Sequence, residues 1–286
     1  MGERDLKKLY GLLGCPVEHS MSPEMHNDLF TYYGIDGYYH AFHVEAENLG
    51  NAVIGLKALN IKGFNVTIPH KVSIMRYLDE IDDIALNIGA VNTVINNNGK
   101  LIGYNTDGDG FIKSLETVIT KSLSDTKILI IGSGGAARAI LISLAAKGAP
   151  NIDVSNRTLT SASQLRSECQ FKLKGSALSL KEAEENLQQY DVIINTTSVG
   201  MHPNIDNIPL SLNKLLPHTV VSDIIYNPLQ TSFLIEAARR GAVTLNGVGM
   251  FVNQGALAFH KWTGQFPDVN RMEQLVINKL GGHTEC

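Results

Sequence analysis

A chain of 286 residues has room for about two domains, and 44% hydrophobic against 18% charged residues is a globular balance that excludes intrinsic disorder. Lys and Arg number 24 against 28 Asp and Glu, a formal net charge of −4 with no basic run or tail, which argues against a nucleic-acid partner. Cys15, Cys169 and Cys286 are too few and too scattered for a disulfide framework, and no apolar run approaches the ~18 residues of a membrane span. Residues 1–9 are charged and lack the apolar stretch of a signal peptide, so the cytoplasm is the expected compartment.

In chain order, Leu9 to Gly14 reads as a short strand. Ser22-Pro23 reads as a helix start, with serine as cap and proline in the first turn, followed by Met25, Leu29 and Phe30 at helical spacing. Tyr38 to Val44 is a second strand, Leu49 to Leu59 a helix ending near Asn60, and Ile61 to Val66 a third strand. Thr67 to Lys71 is expected to lead into a helix through Leu78. Thr93 to Ile95 and Leu101 to Tyr104, joined by Asn96 to Lys100, read as a hairpin. From Lys127 onward the pattern is a regular βαβ series. Strands are expected at Lys127–Ile131, Ile152–Ser155, Asp191–Asn195, Thr219–Asp223 and Val243–Leu245. Helices are expected at Gly134–Lys147, Leu159–Cys169, Lys181–Gln189 and Leu229–Arg240. Such a series forms a doubly wound sheet. Two further helices, Val252–Trp262 and Arg271–Leu280, follow a change of pattern after Gly249. The fold class is therefore α/β: an N-terminal α/β substrate domain, 1–110 completed by 250–286, plus a Rossmann-like dinucleotide-binding domain, 111–249, with the C-terminal helices returning to the first domain.

Gly132-Ser133-Gly134-Gly135-Ala136-Ala137 fits GxGxxA between a strand and a helix. Gly132 permits the tight turn, Gly134 lets backbone approach a pyrophosphate, and Ala137 allows close helix–strand packing. The helix start offers N–H groups and a favourable dipole to phosphates. The next strand ends in Ser155-Asn156-Arg157-Thr158. An NAD site usually places an acid there; Asp153 lies earlier, inside the strand, while Arg157 suits a 2′-phosphate, so NADP is the expected cofactor.

Polar residues also collect where elements end in the first third: Ser20, Ser22, Thr67, Lys71, Asn92 and Asp107. Two hydroxyls by a helix start suit a small carboxylate. A lysine and an aspartate on one hydroxyl can move its proton while hydride leaves the adjacent carbon. From spacing alone, a surface Lys71 and a helix-capping Asp107 are the plainer readings.

Taken in order, the strings Ser20-Met21-Ser22-Pro23, Asn65 to Lys71, Gly89 to Thr93, Gly103 to Asp107, Gly132 to Ala136, Asn156-Arg157-Thr158, Asn195-Thr196-Thr197, Asp223 to Pro228, Thr231, Gly247 to Met250 and Gln254-Gly255-Ala256 resemble the shikimate dehydrogenase family over nearly the whole chain. The resemblance implies reversible reduction of 3-dehydroshikimate to shikimate by NADPH, on the route to chorismate and the aromatic amino acids. It implies Lys71 and Asp107 as the catalytic pair, and Ser20 and Ser22 as holders of the substrate carboxylate. Thr67, Asn92 and Gln254 would hold ring hydroxyls, with Tyr226 close to the ring. Gly132, Ser133, Gly134, Gly135, Ala136, Asn156, Arg157 and Thr158 would bind the cofactor, with Asp83, Ile224, Gly247 and Met250 near its nicotinamide side. Substrate and cofactor would lie on separate domains, so hydride transfer is expected to need closure. One departure stands out: relatives often carry a second arginine where this chain has Ser161, which leaves more of the 2′-phosphate to Arg157, helped by Thr158.

None of the nine histidines forms a metal-ligand spacing, His70 reads as structural, and no metal is expected, because the cofactor performs the redox step. Cys15 reads as a small packing residue, and Met201 and Met250 as apolar wall residues. The partner expected is a small molecule, with no nucleic acid and no membrane; a homodimer is one assembly compatible with the sequence. The rival readings are an NAD-accepting quinate/shikimate dehydrogenase and a cofactor-binding regulator without turnover.

Overall fold

The computed structural model describes residues 6–281; Cys286 lies outside them. The chain divides into two compact units, residues 1–106 with 255–276 and residues 107–254 with 277–286. These divisions stand a few residues from the expected 110/111 and 249/250. Among the described residues no helix is long and apolar enough to cross a membrane.

The first unit opens with β1 (Lys8–Gly14), α1 (Ser22–Tyr32), β2 (Gly37–His43), α2 (Leu49–Ala58) and β3 (Gly63–Val66). It continues with β4 (Glu80–Ile81), α3 (Asp83–Ile88), β5 (Thr93–Asn97) and β6 (Lys100–Tyr104). Its sheet has the order β2-β1-β3-β5-β6-β4. β1 pairs parallel with β2 and β3, while β5 is antiparallel to both β3 and β6. Alternation along the strands separates two faces. Leu13, Phe64, Val66, Val94 and Leu101 meet Val53 and Leu56 of α2 on one face. Tyr10 on the other face reaches Phe30 of α1, with ring centroids 4.9 Å apart.

The expected helix after Lys71 is only a 3-10 turn, Ser73–Tyr77. Ser22 is not the cap of α1. Met21 holds that position without a side-chain bond, Pro23 falls in the first turn, and Ser20 Oγ accepts from Ser22 N at 3.3 Å. The fold thus uses the serine upstream and leaves the Ser22 hydroxyl for a tertiary partner.

The second unit contains α4 (Asp107–Leu115), β7 (Ile128–Ile131), α5 (Gly135–Ala146), β8 (Ile152–Ser155), α6 (Leu159–Ser167), β9 (Ala177–Leu178) and α7 (Leu180–Glu185). β10 (Val192–Asn195), β11 (Val220–Asp223), α8 (Ser232–Arg239) and β12 (Val243–Leu245) complete its sheet. The order is β12-β11-β10-β7-β8-β9, all parallel, and it reverses between β7 and β10. That is the doubly wound dinucleotide order, and its ligand crevice lies at the reversal. Ile128 and Ile130 join one core with Ile140 and Leu144 of α5, while Leu129 and Ile131 join a second core with Phe233 and Leu234 of α8. A strand buried on both faces reads as an unbroken apolar run.

The chain ends with α9 (Val248–Thr263) and α10 (Val269–Lys279). Past Gln254 these helices belong to the first unit as far as Val276. Trp262 Nε1 donates to Val94 O at 3.0 Å, and Arg271 grips Asp28 through two bonds of 2.6 and 2.7 Å. The return of the last helices to the first domain is therefore present.

Candidate active site

In the first unit, β3 runs with β1 and β5 runs against it, so the ends of β1 and β3, the start of β5 and the end of β6 share one edge of the sheet. Carboxyl-terminal strand edges are where α/β sheets collect ligands. Ser20 and Ser22 follow β1, Thr67 and Lys71 follow β3, and Asn92 precedes β5. Thr67 N donates to Leu13 O at 2.9 Å, and Val91 N donates to Lys71 O at 2.8 Å, which fixes the backbone of both residues. Thr67, Lys71 and Ser20 are half-buried, while Ser22 and Asn92 are buried.

Beneath them runs a buried polar network. Tyr39 Oη donates to Asn65 Oδ1 at 2.8 Å, and Asn65 Nδ2 donates to Asn92 O and Thr93 Oγ1, both at 3.1 Å. Asn92 Oδ1 accepts from Thr106 N at 2.8 Å, and its Nδ2 donates to Thr106 Oγ1 at 3.0 Å. Burial pushes the Tyr39 phenol well above its ordinary range, and a hydrogen bond with Ser22 partly offsets this. Such a network locks the rotamer of Asn92. His70 is buried, and its Nε2 donates to Val44 O at 2.6 Å, a structural tie for the turn that carries Lys71. Sequence reasoning did not select Tyr39 or Thr106. In β2, Tyr39 is buried between exposed Tyr38 and His40.

In the second unit the glycine turn closes β7. Gly132 has φ +112°, and a Cβ there would stand 2.5 Å from Thr196 Oγ1. Glycine is thus required by both conformation and space. Gly134 and Gly135 are exposed, with no atom of the chain within 4 Å of where a Cβ would stand. The first N–H groups of α5 therefore open on room for phosphates, and the residues present fit a dinucleotide. Ser133 and Ala136 flank this opening, and Ala137 is fully buried against the sheet.

Gly132 N donates to Ser155 O at 2.7 Å, which brings the end of β8 beside the turn. Asn156 Nδ2 donates to Thr158 O at 3.1 Å, and Arg157 and Thr158 are exposed. Asp153 is inside the sheet, accepting from Tyr190 Oη at 2.7 Å and Ser176 N at 2.6 Å, so its carboxylate is already engaged.

A close approach of Gly247 to the carbonyl of Ile224, where a Cβ would stand 2.1 Å from that oxygen, brings Gly247 and Ile224 together. Met250 and Ile224 pack against the same core. Behind them Asp223 accepts from Asn195 Nδ2, Ile225 N and Thr231 Oγ1 at 3.1, 3.1 and 2.9 Å; burial still raises its carboxyl above the ordinary range. Tyr226 stacks on Phe251 at 4.9 Å, with its phenol raised by burial. Gln254 Nε2 donates to Phe251 O at 2.8 Å.

Asp83 is exposed, in the first turn of α3 of the first unit, where Asp82 supplies the cap. Asp107, buried, begins α4. Met201 is 46% exposed.

Comparison with known proteins places three family models along the chain. They are the shikimate dehydrogenase substrate binding domain over residues 12–94, shikimate / quinate 5-dehydrogenase over 114–207, and the shikimate 5'-dehydrogenase C-terminal domain over 247–277. A shikimate dehydrogenase (NADP(+)) of Geobacillus sp. (strain WCH70) is 57% identical over 277 residues, 97% of this chain and 100% of that protein. A shikimate dehydrogenase solved in complex with NADP+ is 46% identical with a TM-score of 0.87, covering 96% of each chain. A shikimate 5-dehydrogenase from Listeria monocytogenes, solved with shikimate and NAD, is 36% identical with a TM-score of 0.89, covering 94% of this chain and 96% of that one.

Proposed function

The chain belongs to the shikimate dehydrogenase family, and from that premise we propose that it reduces the ketone of 3-dehydroshikimate to shikimate, reversibly and with NADPH. The observation that carries this reading is the pairing of two features in one chain. One is a glycine turn at the reversal of a doubly wound sheet, and the other is a strand edge collecting Ser20, Ser22, Thr67, Lys71 and Asn92. The reaction belongs to the cytoplasm and to the route toward chorismate and the aromatic amino acids.

Bound NADPH supplies the hydride. The chain's own residues bind, orient and move the proton. Ser20 and Ser22 hold the substrate carboxylate, and Thr67 and Asn92 hold ring hydroxyls, the latter in a rotamer set by Thr106 and Asn65. Negative charge grows on the ketone oxygen as hydride arrives. The Lys71 ammonium stabilises that charge and delivers the proton. Asp107 orients the same oxygen. The first N–H groups of α5 take the pyrophosphate, and Arg157 takes the 2′-phosphate, with Tyr226 and Gln254 at the substrate ring.

A second reading, turnover of quinate with NAD, draws support from Ser161, which supplies no cation beside Arg157. Reduced-cofactor absorbance, followed with shikimate or quinate paired with NADP or NAD, separates the two. Turnover with shikimate and NADP far above the other pairs is expected. Efficient quinate turnover would transfer the assignment to the second reading, and silence with all four pairs would end both.

A further inference from the structure

The ends of β1 and β2 carry a group of side chains that the reaction does not use. Gly14 lies opposite His43 in the parallel pair, so Cys15 emerges beside Val44, flanked by His43 and Glu45. Cys15 Sγ is 3.2 Å from His43 Nε2 and 3.3 Å from Glu45 Oε2, and His43 Nε2 is 3.2 Å from Glu45 Oε1. On the far side of the ring, His43 Nδ1 is 2.7 Å from Glu18 Oε1. Cys15 is half-buried, with His43 and Glu45 exposed.

We propose that Cys15, His43 and Glu45 form a binding site for a divalent cation of the zinc class, with Glu18 orienting His43 through Nδ1. Sulfur, imidazole nitrogen and carboxylate oxygen together are a donor set for zinc rather than for magnesium or calcium. Bond lengths of about 2.0–2.3 Å in a tetrahedral site separate the donors by about 3.3–3.6 Å. The Cys15–His43 gap, and the gap from each of these to one of the two Glu45 oxygens, fall within a few tenths of an ångström of that, so an ion enters with side-chain adjustment alone. A ligating histidine commonly directs its other ring N–H to a carboxylate, which is the position of Glu18. The thiolate and the Glu45 carboxylate balance the two positive charges, and solvent fills the fourth position. A bound divalent ion holds Cys15 as its thiolate.

The test uses the full chain, reduced and stripped by chelator, titrated with Co²⁺ and then Zn²⁺. One equivalent of Co²⁺ is expected to produce a sulfur-to-cobalt charge-transfer band and the strong visible bands of a four-coordinate ion, both removed by Zn²⁺. Cys15→Ser and Cys15→Ala should abolish the charge-transfer band, with circular dichroism showing both folded. His43→Gln and Glu45→Gln should each weaken cobalt binding by about tenfold or more, and Glu18→Gln by about tenfold. The double variant Cys169→Ser/Cys286→Ser should keep the band. No such band in the unaltered protein, a band surviving both Cys15 variants, or a band lost in the double variant would overturn the site.

Discussion

The central strands β7 and β10 of the second sheet bury Ile, Leu and Val on both faces, with Asn195 at the end of β10 as their buried polar residue, whereas the first sheet takes Tyr39, Asn65 and Thr93 into its interior. Both sheets have six strands and both collect ligand-binding candidates at a strand edge. The second presents backbone there: Gly132 turns, Gly134 and Gly135 leave room, and α5 offers N–H groups. The first presents side chains, held by a buried hydrogen-bond network. A backbone site tolerates changes of nearby side chains but no added Cβ at the turn; a side-chain site answers to single functional groups.

The largest expected effect tests the side-chain site. Lys71→Ala should lower kcat by about 10²–10⁴-fold and leave the KM for NADPH little changed. A kcat loss under about tenfold in steady-state assays would remove Lys71 from proton transfer. The next pair sets one region against the other. Gly132→Val forces a β-branched residue to φ +112° against Thr196, at about 1–3 kcal/mol. Asn65→Leu strips partners from Tyr39 and Thr93 inside the first unit, at about 1–3 kcal/mol. Hydrogen exchange should quicken in β7 and α5 for the first variant and in β1, β3 and β5 for the second. Exchange that quickens equally in both sheets for either variant would erase the distinction.

Arg157→Ala comes third. A hydrogen-bonded charge is worth about 1.5–3 kcal/mol, so the KM for NADPH should rise by about tenfold or more while that for NADH holds. Equal changes for both cofactors would refute the 2′-phosphate contact. The smallest effect, nil at neutral pH, concerns His26. This residue is fully buried, stacked on Tyr39 at 4.6 Å, and burial pushes its pKa from 6.5 down to about 3. Unfolded chain binds a proton below 6.5 that folded chain refuses until about 3. Stability is therefore whole above that window and falls as pH drops through it. His26→Phe should flatten this fall in acid denaturation series; a variant with the same slope would show that another group is responsible.

Much of this was legible because local pattern suffices for it. The apolar run of β7, the glycine turn and the place of Arg157 after β8 all follow from residues adjacent in the chain. The edge strands β4 and β9 passed unseen, since two residues carry no period. Beyond a cap at Asp107, α4 passed unseen too, because Gly108 and Gly110 lower its helix propensity and tertiary packing overrides them. Ser22 matched a cap by type, yet its hydroxyl went to Tyr39.

By itself, then, the amino-acid order determined the two-domain α/β class, the family, the dinucleotide turn and the roster of polar residues at strand ends. Hydrophobic period and backbone freedom are properties of neighbouring residues. Tertiary structure alone decided which distant side chains meet. Tyr39 finds Asn65 across 26 residues, and Cys15 finds His43 across 28. Such meetings depend on which strands pair and in what register, and register comes from burying a whole sheet at once.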